Sequence, residues 1–206
     1  MTSLRNAVLI AAAAAMATPA LAQTASPPPD LVDRYMSESW KSATPEWRGR
    51  LAQDQTMKDC STYRNNPPAA VHDAIIAREK ATIQYPADGK LLGDWKKGEA
   101  SARDGYGLRF TDKDTARANG GNCYACHQLD PKEITFGTVG PSLVHYGKNR
   151  NYSTDDAKLA YERIFNPQSV FACSHMPRFG HNKFLTVDQI KDVLAYLMDP
   201  ASPVNK

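Results

Sequence analysis

The sequence predicts an all-α protein, and three observations carry that reading. Apolar residues recur at helical spacing, most clearly as Ala157, Ala160, Tyr161 and Ile164, and again as Ile190, Val193, Leu194 and Leu197. Residues suited to capping stand ahead of these runs: Ser153 or Thr154 before the first and Thr186 before the second. No stretch alternates apolar and polar residues convincingly enough to read as a strand, and no internal repeat is visible.

From the N-terminus, Arg5 forms a short basic region, Ala7 to Ala17 an apolar run dominated by alanine, and Ala20-Leu21-Ala22 a small-residue cleavage site. Residues 1–22 therefore read as a signal peptide, with Gln23 as the first residue of the mature chain. The apolar run is shorter than the ~20 residues a membrane-spanning helix needs, and no later segment is long and apolar enough to span a bilayer. The expectation is an exported protein with no membrane span, placed in a bacterial periplasm, where disulfides persist.

The chain carries 25 basic and 22 acidic residues, a net +3. Removal of Arg5 with the leader leaves 24 against 22, or +2, too balanced to argue for nucleic acid.

Residues 23–86 read as a proline-rich leader followed by a helical extension. Thr24 to Pro29 is polar and proline-rich and is expected to be extended or disordered. Asp30 can cap a helix over Leu31 to Ser42. Thr44 can cap a second, with Pro45 in its first turn, running towards Cys60. A third begins after Pro67-Pro68 and keeps Val71, Ile75, Ile76 and Ile83 near helical spacing up to Tyr85-Pro86. The extension holds no recognisable cofactor residues, and it reads as a segment that packs on the following domain or on a partner. Its His72 reads as a surface or capping residue.

Ala87-Asp88-Gly89 is a turn signal and marks the start of the second domain, 87–206. There a short helix is expected over Trp95 to Ser101, a break at Gly105-Tyr106-Gly107, and a loop from Pro131 to Gly147. The two capped helices follow, stopping before Pro167 and at Pro200.

Between the break and the loop stands Gly120-Gly121-Asn122-Cys123-Tyr124-Ala125-Cys126-His127. Cys-x-x-Cys-His is the attachment signature of a c-type haem. Two thiols three positions apart can each add to a haem vinyl group, and the next residue turns an imidazole onto the iron. Cys123 and Cys126 are thus expected to hold one covalent haem c, with His127 as the proximal ligand. A zinc reading would need a second Cys/His pair at ligand spacing, and the sequence has none.

The opposite face of the iron decides the chemistry. The downstream candidates are His145, His175, Met176, His181 and Met198. Met176 is preferred because it sits in a loop ahead of the last helix, beside Pro177, whose ring restricts the backbone; His175 is the next candidate. Met198 reads as packing, and His145 and His181 as loop hydrogen-bonders. A His/Met pair makes an electron carrier with a raised reduction potential, whereas an open face would permit peroxide or ligand-binding chemistry. Gly140-Pro141 is expected over the proximal side, where a backbone carbonyl can hold the His127 ring. Arg178 could pair with a haem propionate or be a plain surface charge. Phe179, Tyr124 and Tyr146 read as wall residues. Cys60 and Cys173 remain, and three arrangements stay open: a bond between them, a bond to another chain, or two buried thiols.

Together these features make a class I cytochrome c-like haem domain with an N-terminal helical extension. The order and wording of Gly-Gly-Asn-Cys-Tyr-Ala-Cys-His at 120–127, Gly-Pro-Ser-Leu at 140–143 and Met-Pro-Arg-Phe-Gly at 176–180 resemble the SoxX family, over about Trp95 to Asp199. SoxX is the monohaem subunit of the SoxXA cytochrome. The resemblance implies a periplasmic heterodimer with a SoxA-like haem subunit, working as an L-cysteine S-thiosulfotransferase that oxidatively couples thiosulfate to a cysteine of the SoxYZ carrier. It implies bond formation on the partner and no catalytic residue here. Electrons would be accepted through the haem of Cys123, Cys126, His127 and Met176 and handed to a small cytochrome c. The extension is longer than a minimal SoxX needs. The competing readings are a free-standing periplasmic cytochrome c shuttle serving a terminal oxidase, and a haem peroxidase or ligand sensor with a displaceable Met176.

Overall fold

The computed structural model describes residues 28–206, so the signal peptide and the residues of the leader before Pro28 lie outside the described residues. Among the described residues every regular element is helical. The chain divides after Ser42: residues 43–206 form one compact unit, and the first helix belongs to the segment ahead of it.

That first helix, α1 (Pro29–Ser39), starts two residues earlier than its sequence suggests and ends three earlier. Proline takes the first turn, where its missing N–H costs nothing, and Asp30 serves the helix dipole rather than the cap.

The single helix expected from Thr44 towards Cys60 is two. α2 (Pro45–Leu51) is capped by Thr44, whose Oγ1 accepts from Trp47 N at 3.4 Å. Ala52 is extended, and α3 (Gln55–Thr62) restarts with Asp54 Oδ1 accepting from Met57 N at 2.8 Å. Aspartate competes for backbone N–H groups better as a cap than it stabilises a helix interior, so the chain breaks ahead of it. α4 (Ala69–Lys80) follows Pro68 and stops short of Tyr85.

In the rest of the unit, α5 (Trp95–Arg103) runs two residues beyond Ser101 before the expected break. α6 (Thr154–Phe165) is capped by Ser153, and α7 (Val187–Met198) by Thr186 in a capping box with Gln189. The two apolar stripes read from the sequence form the core: Ala157, Ala160, Tyr161 and Ile164 from α6 meet Ile190, Val193, Leu194 and Leu197 from α7. Tyr161, Ile190, Leu194 and Tyr196 are completely inaccessible, and each large apolar side chain so buried contributes about 1.5–3 kcal/mol. Met198 is also core, as expected.

α5 crosses α7 at very short range. A Cβ built on Gly98 would stand 1.9 Å from the Asp192 carbonyl oxygen, so only glycine allows the backbones to approach this closely. The long stretches 104–153 and 166–186 are mainly turns and loops hung from this three-helix frame. They carry the chemistry.

Within the unit, residues 43–86 pack on the rest through specific contacts. Ile75 of α4 joins Cys60 and Cys173 in a second small core. The Tyr161 hydroxyl donates to the Gln84 carbonyl at 2.6 Å, and Tyr85 donates to Glu162 at 2.5 Å while stacking on Tyr161.

Candidate functional site

The approach to the cysteine motif is tied to the end of α5: Gly121 N donates to Ser101 O at 2.7 Å and Asn122 N to Asp104 O at 2.8 Å. Asn122 is left-handed (φ 46°), a conformation asparagine tolerates, and the chain then makes one tight turn over Cys123–Ala125. Cys126 N and His127 N both donate to Cys123 O, at 3.1 and 2.9 Å. Both thiols and the imidazole are thereby gathered on one turn.

Cys123 and Cys126 are free thiols, each half-buried. Burial pushes the Cys123 thiol up to about 12. An exchange-active dithiol needs a lowered thiol pKa, and the Cys123 thiol is moved the opposite way.

The loop from Thr135 to Leu143 lies directly over the motif. Gly137 N donates to Tyr124 O at 2.8 Å and Gly140 N to Cys126 O at 2.9 Å. A Cβ on Gly140 would fall 2.2 Å from Cε1 of His127, so the loop presses its backbone flat against the imidazole. Nδ1 of His127 stands 2.7 Å from the Pro141 carbonyl. That acceptor favours the tautomer with a proton on Nδ1 and leaves Nε2 as the donor atom for a metal.

Met176 is partly buried and, like Cys123 and Leu143, packs against the main core. It borders a cleft of about 910 Å³ together with Pro177, Phe179, Phe184, Trp47 and Leu108, which Cys123, Cys126 and His127 do not line. The other candidates are engaged differently. His145 Nε2 meets the Lys206 carbonyl at 2.6 Å, His175 is exposed beside Asn65, and His181 Nδ1 lies 3.9 Å from Glu79. His72 is an exposed residue beside Asp73. Tyr124, Tyr146 and Phe179 are all buried, and the Tyr124 and Tyr196 hydroxyls meet at 2.7 Å.

Of the arrangements open to the remaining cysteines, the intramolecular one holds: Cys60 of α3 is bonded to Cys173, three residues before Met176. Arg178 is neither a surface charge nor free to face outward. It is 8% exposed and pairs with Asp54 at 2.6 Å and Glu79 at 3.4 Å.

Sequence reasoning missed Glu79, which is 3% exposed. Its carboxylate accepts from Thr56, from Asn166 Nδ2 at 2.7 Å and from Arg178 Nη1. One signal was available: Glu79 continues the Val71–Ile75 face of α4 by four residues, placing a carboxylate where the helix turns inward.

Residues 113–199 match the cytochrome c family. The chain thus carries a cytochrome c domain over that stretch. The free Cys123/Cys126 pair, the flat glycine wall at Gly140 and the oriented imidazole fit one covalent haem c. The domain is an electron carrier, and its all-helical core with a helical region ahead of it is the architecture expected. The chain is also similar to an uncharacterized lipoprotein of Aquifex aeolicus (strain VF5), 46% identical over 158 residues, covering 75% of this chain and 74% of that one. A match of that length reaches back ahead of residue 87, so the relative shares part of the helical segment as well as the cytochrome domain. Among the described residues no helix is long and apolar enough to cross a membrane.

Proposed function

We propose that this cytochrome carries one electron at a time through a haem c held by Cys123 and Cys126, with His127 and Met176 as axial ligands, as the SoxX-like subunit of a SoxXA complex. The observation that carries the ligand assignment is the His127–Pro141 contact at 2.7 Å, which spends Nδ1 and keeps Nε2 for iron. For the opposite side, Met176 is chosen for its place in the loop ahead of α7, beside the conformationally restricted Pro177. When bound, the haem supplies a one-electron couple whose potential is raised by a thioether ligand.

The chain's own residues hold, orient and enclose. Pro141 and Gly140 fix the imidazole plane, Leu143 and Phe179 keep the surroundings apolar, and the disulfide fixes the loop three residues ahead of Met176. Coupling of thiosulfate to the SoxYZ cysteine is assigned to the SoxA-like partner. Onward transfer is to a small cytochrome c.

The setting proposed is the periplasm. The relative is named a lipoprotein, which agrees with export. In this chain the earliest cysteine is Cys60, so no cysteine near the Ala22 cleavage position offers a lipid attachment point.

The test is co-purification from native periplasm with haem staining, followed by addition of thiosulfate and carrier to the purified assembly. The expected result is a stoichiometric second haem protein and thiosulfate-dependent reduction of this haem. A stable monomer that reduces a terminal oxidase directly would establish the shuttle reading instead.

A further inference from the structure

The loop that carries Met176 is held by residues from ahead of residue 87, and one atom holds both its ends. Asn166, at the close of α6, donates through Nδ2 to Glu79 Oε2 at 2.7 Å. Arg178, two residues after Met176, donates through Nη1 to the same oxygen at 3.4 Å. Between them, Cys173 is bonded to Cys60 of α3. The second guanidinium nitrogen of Arg178 pairs with Asp54, the residue that caps α3. Glu79 and Arg178 are 3% and 8% exposed, so neither can exchange its partner for bulk water without moving the loop.

We propose that Glu79 is a positioning residue for Met176. Its carboxylate closes the loop from 166 to 178 at its two ends and so sets where the thioether stands. The inference rests on the reading of Met176 as an axial ligand. It acts through Arg178 and Pro177: the proline ring fixes one backbone angle between the anchored guanidinium and the methionine, so a shift of Arg178 is passed on rather than absorbed. The cleft of about 910 Å³ bordered by Met176, Pro177 and Arg178 gives the loop room to relax once released. A buried charge that loses its partner must find water or another partner, and moving the Arg178 side of the loop towards that cleft supplies one. The role also explains why a segment with no cofactor residues of its own packs here: α3 and α4 bring Cys60, Asp54 and Glu79 to one loop.

The test uses the holo-protein with Glu79→Gln, Arg178→Lys and Met176→Ala. Three readouts are taken: the methionine-to-ferric-iron charge-transfer band, the rate of carbon monoxide binding to the ferrous protein, and covalent haem content. With Glu79→Gln the band is expected to weaken and carbon monoxide to bind at least ten-fold faster at unchanged haem content. Arg178→Lys, which keeps the charge and loses the fork, is expected to lie between this variant and the parent, and it reads the same quantity should Glu79→Gln fail to accumulate. Parent-like band and rate in both, with the band lost in Met176→Ala, would overturn the positioning role alone. A band that survives Met176→Ala overturns the ligand assignment beneath it.

Discussion

Cys173 is bonded to Cys60 across 113 positions of sequence, and Met176 follows it by three residues. The bond joins α3, in the segment ahead of the cytochrome domain, to the loop whose methionine faces the cleft. It closes a very long loop, so it removes much of the freedom of the unfolded chain; in the chain-entropy account this stabilises by about 4–5 kcal/mol, and native disulfides typically contribute about 2–5 kcal/mol. The double variant Cys60→Ser/Cys173→Ser is expected to lose stability in that range by denaturant titration, and its methionine band should weaken. Unchanged denaturation midpoints would show that packing around Ile75 suffices.

Glycine 140 offers a sharper local test. A Cβ there falls 2.2 Å from the imidazole of His127, against atoms that cannot yield without turning the ring. Gly140→Ala is therefore expected to tilt the imidazole and break its 2.7 Å contact with Pro141. Covalent haem should persist, since Cys123 and Cys126 are untouched, while the low-spin electron paramagnetic resonance signal changes. A spectrum identical to the parent's would mean the loop moves away freely.

The α5–α7 crossing is a matter of stability rather than ligation. Gly98→Ala places a methyl 1.9 Å from the Asp192 carbonyl. Overpacking of this kind costs about 1–3 kcal/mol. A lowered thermal midpoint with an unaltered methionine band is the expected outcome.

Acid should weaken the junction of α3 with the Met176 loop. Burial pushes the Asp54 carboxyl up, but the hydrogen bond from Met57 N and the Arg178 guanidinium outweigh it and hold the group below its ordinary 3.8. A carboxyl lowered in the folded state contributes stability that is present above the unfolded value and is lost as pH falls through the folded one. Denaturation midpoints measured downward from pH 5 should therefore fall below about pH 4, and Asp54→Asn should flatten that part of the profile. An identical acid limb in the variant would place the acid sensitivity elsewhere.

His181 behaves in the same direction nearer neutrality. Burial, and then the charge of Arg178, lower its pKa below 6.5 in spite of Glu79 and Asp54. It contributes stability above the unfolded value that is lost on acidification through the folded one. In His181→Gln the fall in unfolding midpoint between about pH 6.5 and 5 should be shallower than in the parent.

How much of this could be read beforehand differs by element. The haem turn was legible because its chemistry lies in five consecutive residues, Cys123 to His127, and a local constraint writes itself locally. The caps at Thr44, Ser153 and Thr186 and the stripes of α6 and α7 were legible for the same reason: caps and periodicity act within a few residues. The break at Ala52 was missed because a continuous helical pattern masked the cap at Asp54. Arg178 in Met-Pro-Arg-Phe-Gly showed only a charge next to a loop.

The chain by itself determined the all-helical class, the haem-attachment turn and the apolar stripes of α6 and α7 that form the core. The carbonyl on His127 is that of Pro141, in the Gly140-Pro141 stretch the sequence points to; only the tertiary structure decided that Cys60 meets Cys173 and that Glu79 is buried with Arg178 and Asn166 on one oxygen. The physical reason is distance along the chain. Those partners are separated by 113, 99 and 87 positions, and a contact between residues that far apart leaves no periodicity, spacing or cap in the sequence until packing brings them together.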